Sequence, residues 1–96
     1  MSNIAERFLR TAEQEPPPRL AIDAPTAARM LDISLAHFYA RLSAGQIPHG
    51  FYLGRRRLWS VYELKYWVLA GMPTAERWAV IRIDVMKSLN QDMRNI

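Results

Sequence analysis

Apolar positions along the chain change their spacing several times, and each change predicts an element. Ile4, Phe8 and Leu9 recur at helical steps, predicting a short helix over residues 2–13 that ends before Pro16-Pro17-Pro18. Leu20-Ala21-Ile22 reads as an apolar entry strand or staple, Asp23 as an N-cap, and Pro25 as a first-turn residue. Ala27, Ala28, Met30 and Leu31 then form about two helical turns, which Asp32-Ile33 interrupts. Ser34 caps a second helix from Leu35 to Ala44, and Gly45 ends it, with Pro48 just beyond. Two short helices joined by so brief a turn predict a helix-turn-helix.

The pattern then shortens. In Gly50-Phe51-Tyr52-Leu53-Gly54-Arg55-Arg56-Arg57-Leu58-Trp59, aromatic and aliphatic residues flank a Gly-Arg-Arg turn, which predicts a β-hairpin with a basic tip. Ser60-Val61-Tyr62-Glu63 fits a capping box, in which the serine serves the third amide of the helix and Glu63 reaches back. That helix carries Leu64, Trp67 and Val68 on one face and stops at Gly71-Met72-Pro73. Thr74 caps a last helix with an apolar stripe of Trp78, Ile81, Val85, Leu89 and Met93. The division is therefore an arm and proline spacer over 1–18, a core over 19–71 and a C-terminal helix over 72–96. The fold class expected is mainly α with a small β-hairpin.

Composition bounds the chemistry. Ninety-six residues make one domain with one modest core. With no cysteine, disulfides, thiolate metal sites and cysteine nucleophiles are excluded. The two histidines, His37 and His49, are too few for an all-imidazole metal site. No nucleophile–base pair, phosphate loop or metal-ligand spacing is visible, so neither an enzyme nor a cofactor is expected. No apolar run approaches the ~18 residues of a membrane span, and residues 1–18 do not read as a targeting signal; the expectation is a cytosolic protein.

Charge sharpens the picture. The net charge is +4, and by segment it is −1 over 1–18, +4 over 19–70 and +1 over 71–96. A positive surplus confined to the middle of the chain points to a polyanionic partner.

The run from Asp32 to Pro48 resembles the turn and second helix of the excisionase family, small MerR-like winged helix-turn-helix proteins. Ala27-Ala28, Asp32, Ile33, Ser34, Tyr39 and Gly45-Gln46-Ile47-Pro48 carry the resemblance, followed in order by Gly54-Arg55-Arg56, Trp59 and Trp67. It covers about residues 20–70. The resemblance implies a second helix that enters the major groove of double-stranded DNA and a hairpin wing that reaches the backbone or adjacent minor groove. It implies a recombination directionality factor that bends attachment-site DNA and steers a site-specific recombinase or integrase, or else a small prophage transcription regulator. Two positions depart from the family pattern. Asp32 stands where a glycine is usual, and Ala40 stands where an arginine normally follows the tyrosine.

On the second helix, Phe38 and Leu42 face inward with Ile33. Ser34, Leu35, Ala36, His37, Tyr39 and Arg41 remain as the candidate DNA-binding positions. Arg41 is suited to a guanine edge, His37 to a base or phosphate, the Tyr39 hydroxyl to a phosphate, and Leu35 and Ala36 to thymine methyl groups. This is a sparse set of readers, so selectivity is expected to lean on DNA shape and on several copies bound together. Arg55, Arg56 and Arg57, fanning out from the tip, are the candidate phosphate and minor-groove contacts. Tyr62 and Tyr66 with the three tryptophans read mainly as packing, and His49 as a loop residue near the DNA backbone. Leu89 and Met93 are candidate contacts for a second subunit or a recombinase. The competing reading from another class is a protein-interaction adaptor that uses the apolar face of Leu35, Ala36 and Ala40.

Overall fold

The structure is a computed structural model, and it describes residues 4–5 and 18–94, with side chains as far as Gln91. Nearly all of the expected arm lies outside the described residues, as does the side chain of Met93.

Local chemistry sets the element boundaries. The Asp23 carboxylate accepts the Thr26 amide at 3.1 Å and opens α1 (Ala24–Met30), with Pro25 in its first turn. Leu31 closes α1, and Asp32 then swings to φ 59°. There its amide donates to the Arg29 carbonyl at 3.1 Å, and the Ile33 amide donates to the Ala28 carbonyl at 3.0 Å. A left-handed backbone disfavours most side chains, but aspartate accepts it comparatively well. Ser34 Oγ accepts the His37 amide at 3.1 Å and opens α2 (Leu35–Ser43). The Gln46 amide satisfies the Arg41 carbonyl at the other end.

Three strands follow the expected hairpin and add a partner to it. β1 (Ala21–Ile22), β2 (Phe51–Leu53) and β3 (Arg56–Ser60) form an antiparallel sheet in the order β1-β3-β2. The entry segment is thus a strand, pairing Ile22 with Trp59, while Tyr52 pairs with Arg57 and Leu53 with Arg56. A two-residue loop, Gly54-Arg55, joins β2 to β3. Gly54 at φ 64° supplies the positive angle that tight hairpin turns require at this position.

α3 (Val61–Leu69) starts at Ser60, whose Oγ accepts the Glu63 amide at 3.2 Å. The second half of the expected capping box is replaced. The Glu63 carboxylate turns into the core, where Oε1 accepts both Trp78 Nε1 and Arg82 Nε at 2.9 Å. α4 (Ala75–Arg94) begins at Thr74, whose Oγ1 accepts the Arg77 amide at 3.3 Å.

The core is built on Phe38, Trp59, Trp67 and Trp78, with Ile22, Ala27, Ala28, Leu42, Ile47 and Leu64 between them. Each indole N–H is bonded. Trp59 donates to the Pro48 carbonyl at 2.7 Å, Trp67 to the Pro73 carbonyl at 2.9 Å, and Trp78 to Glu63. A buried Trp removes about 200 Å² from water, worth roughly 5 kcal/mol, and a bonded N–H avoids most of the offsetting polar cost. Ile81 and Val85 carry the α4 stripe onto this core, and Leu89 is half-buried. The architecture is mainly helical with a small antiparallel sheet, and no described helix is long and apolar enough to cross a membrane.

Candidate nucleic-acid interface

α2 divides around its axis into a buried strip, an exposed outer strip and two flanks. Phe38 and Leu42 are buried. Ala36, Ala40 and Ser43 lie opposite them and are exposed. Leu35, at 40% exposure, and Tyr39, at 50%, form one flank of this outer strip. His37 and Arg41 form the other, beside a shallow cavity of about 320 Å³ that Ile33, Trp67 and Met72 also line. Arg41 does not extend freely from the helix. Its Nη1 donates to Gln46 Oε1 at 2.8 Å, back toward the loop after α2. Ser34 is occupied by its cap. The outer strip itself therefore offers small and apolar groups, with polar reach from Tyr39 on one side and His37 on the other.

The three hairpin arginines have three different settings. Arg55 sits in the turn and is exposed. Arg56 begins β3 with its side chain 72% exposed, and its Nη2 lies 3.7 Å from the Asp23 carboxylate. At that length and exposure the pair is weak. Hydrogen bonds from Thr26, side chain first and backbone second, hold the Asp23 carboxyl below its usual range, with a further push from Arg56 and Arg29.

Arg57 departs from the expectation that all three arginines fan outward. Side chains alternate along β3, so Arg57 shares a face with Trp59 rather than with Arg56. Its Nε donates to the His49 carbonyl at 2.8 Å. Its guanidinium lies 5.7 Å from the Tyr52 ring centre and 5.4 Å from that of Trp59. Arg57 thus ties the hairpin to the loop after α2. The signal for this was present in the chain, since a two-residue loop at Gly54-Arg55 places Tyr52 directly across from Arg57.

Ring contacts link hairpin and helix. Trp59 meets Phe38 edge-on with centroids 5.1 Å apart, and Phe38 meets Tyr39 at 6.0 Å. One chain of contacts therefore runs from Tyr52 through Arg57, Trp59 and Phe38 to Tyr39 on the exposed flank of α2. Gly50 keeps the loop against this chain at φ 71°. A Cβ there would sit 2.5 Å from the Leu58 carbonyl oxygen and 2.9 Å from the Trp59 ring, too close to be tolerated.

Of the candidate partner contacts, Leu89 is half-buried on α4 beside Tyr66 and Val85. Among the described residues, Val80 and Ile83 are the large apolar side chains that α4 leaves exposed; the stripe pattern did not single them out. Among the described residues no cluster of three His, Asp or Glu is placed to hold a metal ion. No family model, no curated protein and no solved structure matches this chain.

Proposed function

We propose that this chain is a winged helix-turn-helix protein that binds double-stranded DNA, with α2 in the major groove and the β2–β3 hairpin on the neighbouring backbone or minor groove. One observation carries the reading. The exposed strip of α2 and the arginine-bearing hairpin are coupled through the Tyr52–Arg57–Trp59–Phe38–Tyr39 contacts, so they would meet a ligand as one rigid unit. Arg55 and Arg56 supply exposed cations on that hairpin, and the helix face carries no charged side chain across its middle. This suits a duplex, whose phosphates attract the hairpin while its groove accepts an uncharged helix surface.

The biological role follows the resemblance of residues 20–70 to excisionases. The protein would act as a recombination directionality factor, bending attachment-site DNA so that a recombinase favours excision.

Two measurements test these levels separately. Titration of duplex DNA at several salt concentrations should give an affinity that falls steeply with salt. Replacing Arg55 and Arg56 together by Ala should flatten the slope of log K against log salt by about 2. Binding without salt dependence would remove the DNA reading and favour the protein adaptor. An excision assay with a cognate integrase, with and without this protein, tests the role, and an unchanged ratio of excision to integration would overturn it.

A further inference from the structure

We infer that α2 recognises thymine methyl groups, so that the sites this protein prefers are defined by thymine positions rather than by guanines. The inference rests on the DNA-binding reading and specifies the chemistry of its helix surface.

Reading a guanine or adenine edge in the major groove takes a side chain that can form paired hydrogen bonds: Arg or Lys for guanine, Asn or Gln for adenine. The outer strip of α2 holds Ala36, Ala40 and Ser43, none of which can do so. Arg41, the one long cation on the helix, stands on the flank and is engaged by Gln46 Oε1 at 2.8 Å. Ser34 at the helix start is engaged by the His37 amide.

What remains across the middle of the exposed face is small and apolar, with His37 and Tyr39 the polar groups at its two flanks. Leu35, on the flank, is 40% exposed, and Ala36 and Ala40 on the outer strip are exposed as well. Alanines at these positions also let the helix backbone approach the groove floor closely. The one major-groove feature that an apolar surface can distinguish is the C5-methyl of thymine, and cytosine lacks it. The commitment to DNA over an apolar partner comes from charge, because Arg55 and Arg56 are exposed on the hairpin coupled to this helix.

Each methyl buried against Leu35 or an alanine should contribute about fourfold in affinity, so a site with two contacted thymines should gain roughly tenfold or more. The experiment begins with selection from a randomised duplex pool at moderate salt, using the full chain. The best duplex is then remade with uracil in place of thymine, which removes only the methyl groups. A loss of tenfold or more supports the inference, and replacing contacted cytosines by 5-methylcytosine should raise affinity in the same range. Equal binding of the thymine and uracil duplexes overturns it while leaving DNA binding intact. Failure of every duplex in the pool to bind overturns the DNA reading itself.

Variants separate surface from charge. Leu35→Ala should narrow the thymine-to-uracil ratio, whereas Arg55→Ala should weaken both duplexes equally and leave the ratio unchanged. A ratio untouched by Leu35→Ala, in a variant shown by thermal melting to be folded, also counts against the inference.

Discussion

The hairpin tip and the α3–α4 junction each contain arginines, and the two regions use them in opposite ways. At the junction, Arg82 and the Trp78 indole converge on one oxygen of Glu63, a residue only 9% exposed. At the tip, Arg55 and Arg56 stay in solvent, while Arg57 lies across two aromatic rings and holds a loop carbonyl. Net charge counts all of these equally, but only Arg55 and Arg56, the latter weakly paired with Asp23 at the surface, are open to phosphate. The same side chain is structural where a buried carboxylate or a ring holds it, and available for binding where it meets only water or a weak surface pair.

This contrast can be broken at the junction first, where the effect should be largest. Trp78→Ala removes a large core side chain and leaves the buried Glu63 short of a donor, so it should cost about 3–5 kcal/mol in urea unfolding. A loss below 1 kcal/mol would mean that α4 does not depend on this anchor.

The tip provides the next test. Arg57→Ala should lower stability by about 1–2 kcal/mol through the lost loop bond and ring contacts. Arg55→Ala, beside it, should leave stability within about 0.5 kcal/mol. Equal destabilisation by the two would erase the distinction between the arginines.

Asp32 lies outside both regions and serves as a reference for local strain. Because its φ of 59° is a left-handed angle, Asp32→Gly should raise stability by about 0.5–1 kcal/mol, less than the αL strain relieved because glycine has more freedom to lose in the unfolded chain. A loss would show that the aspartate makes a compensating contact.

The smallest effect expected is on pH dependence at Asp23. Its folded pKa lies below the ordinary 3.8, so the unfolded chain takes up the proton first as pH falls. The stability this carboxylate contributes is present above about pH 4 and is lost as pH drops through the lower folded value. Asp23→Asn keeps an N-cap oxygen but cannot titrate, so its acid unfolding curve should be flatter at this end. An unchanged acid limb would remove Asp23 from the account.

Most element boundaries were legible because their causes are local. Asp23, Ser34, Ser60 and Thr74 each reach an amide three residues ahead, and Gly45 and Gly54 stand where the backbone must turn left. The candidate site was legible as a set of residue types but less so in geometry. Spacing places His37 and Arg41 on α2, yet it does not say that they overlook a cavity beside Trp67, or that Gln46 engages the arginine. Leu20-Ala21-Ile22 reads as a strand or a staple, and a two-residue strand has too short a pattern to choose between them or to name β3 as its partner.

The amino-acid order determined the helices, their caps, the hairpin and the middle position of the positive charge, because each depends on residues within a few positions of one another. The tertiary structure decided which charges are free. Glu63 could have closed its own cap but was taken by Trp78 and Arg82, 15 and 19 residues away. Arg57 could have joined its neighbours in solvent but was taken by the carbonyl of His49 and the ring of Tyr52. Buried Glu63 takes the partners that spare its charge from facing apolar surroundings alone. Half-buried Arg57 takes the carbonyl and rings that packing brings beside it, and both choices exist only once the elements have packed.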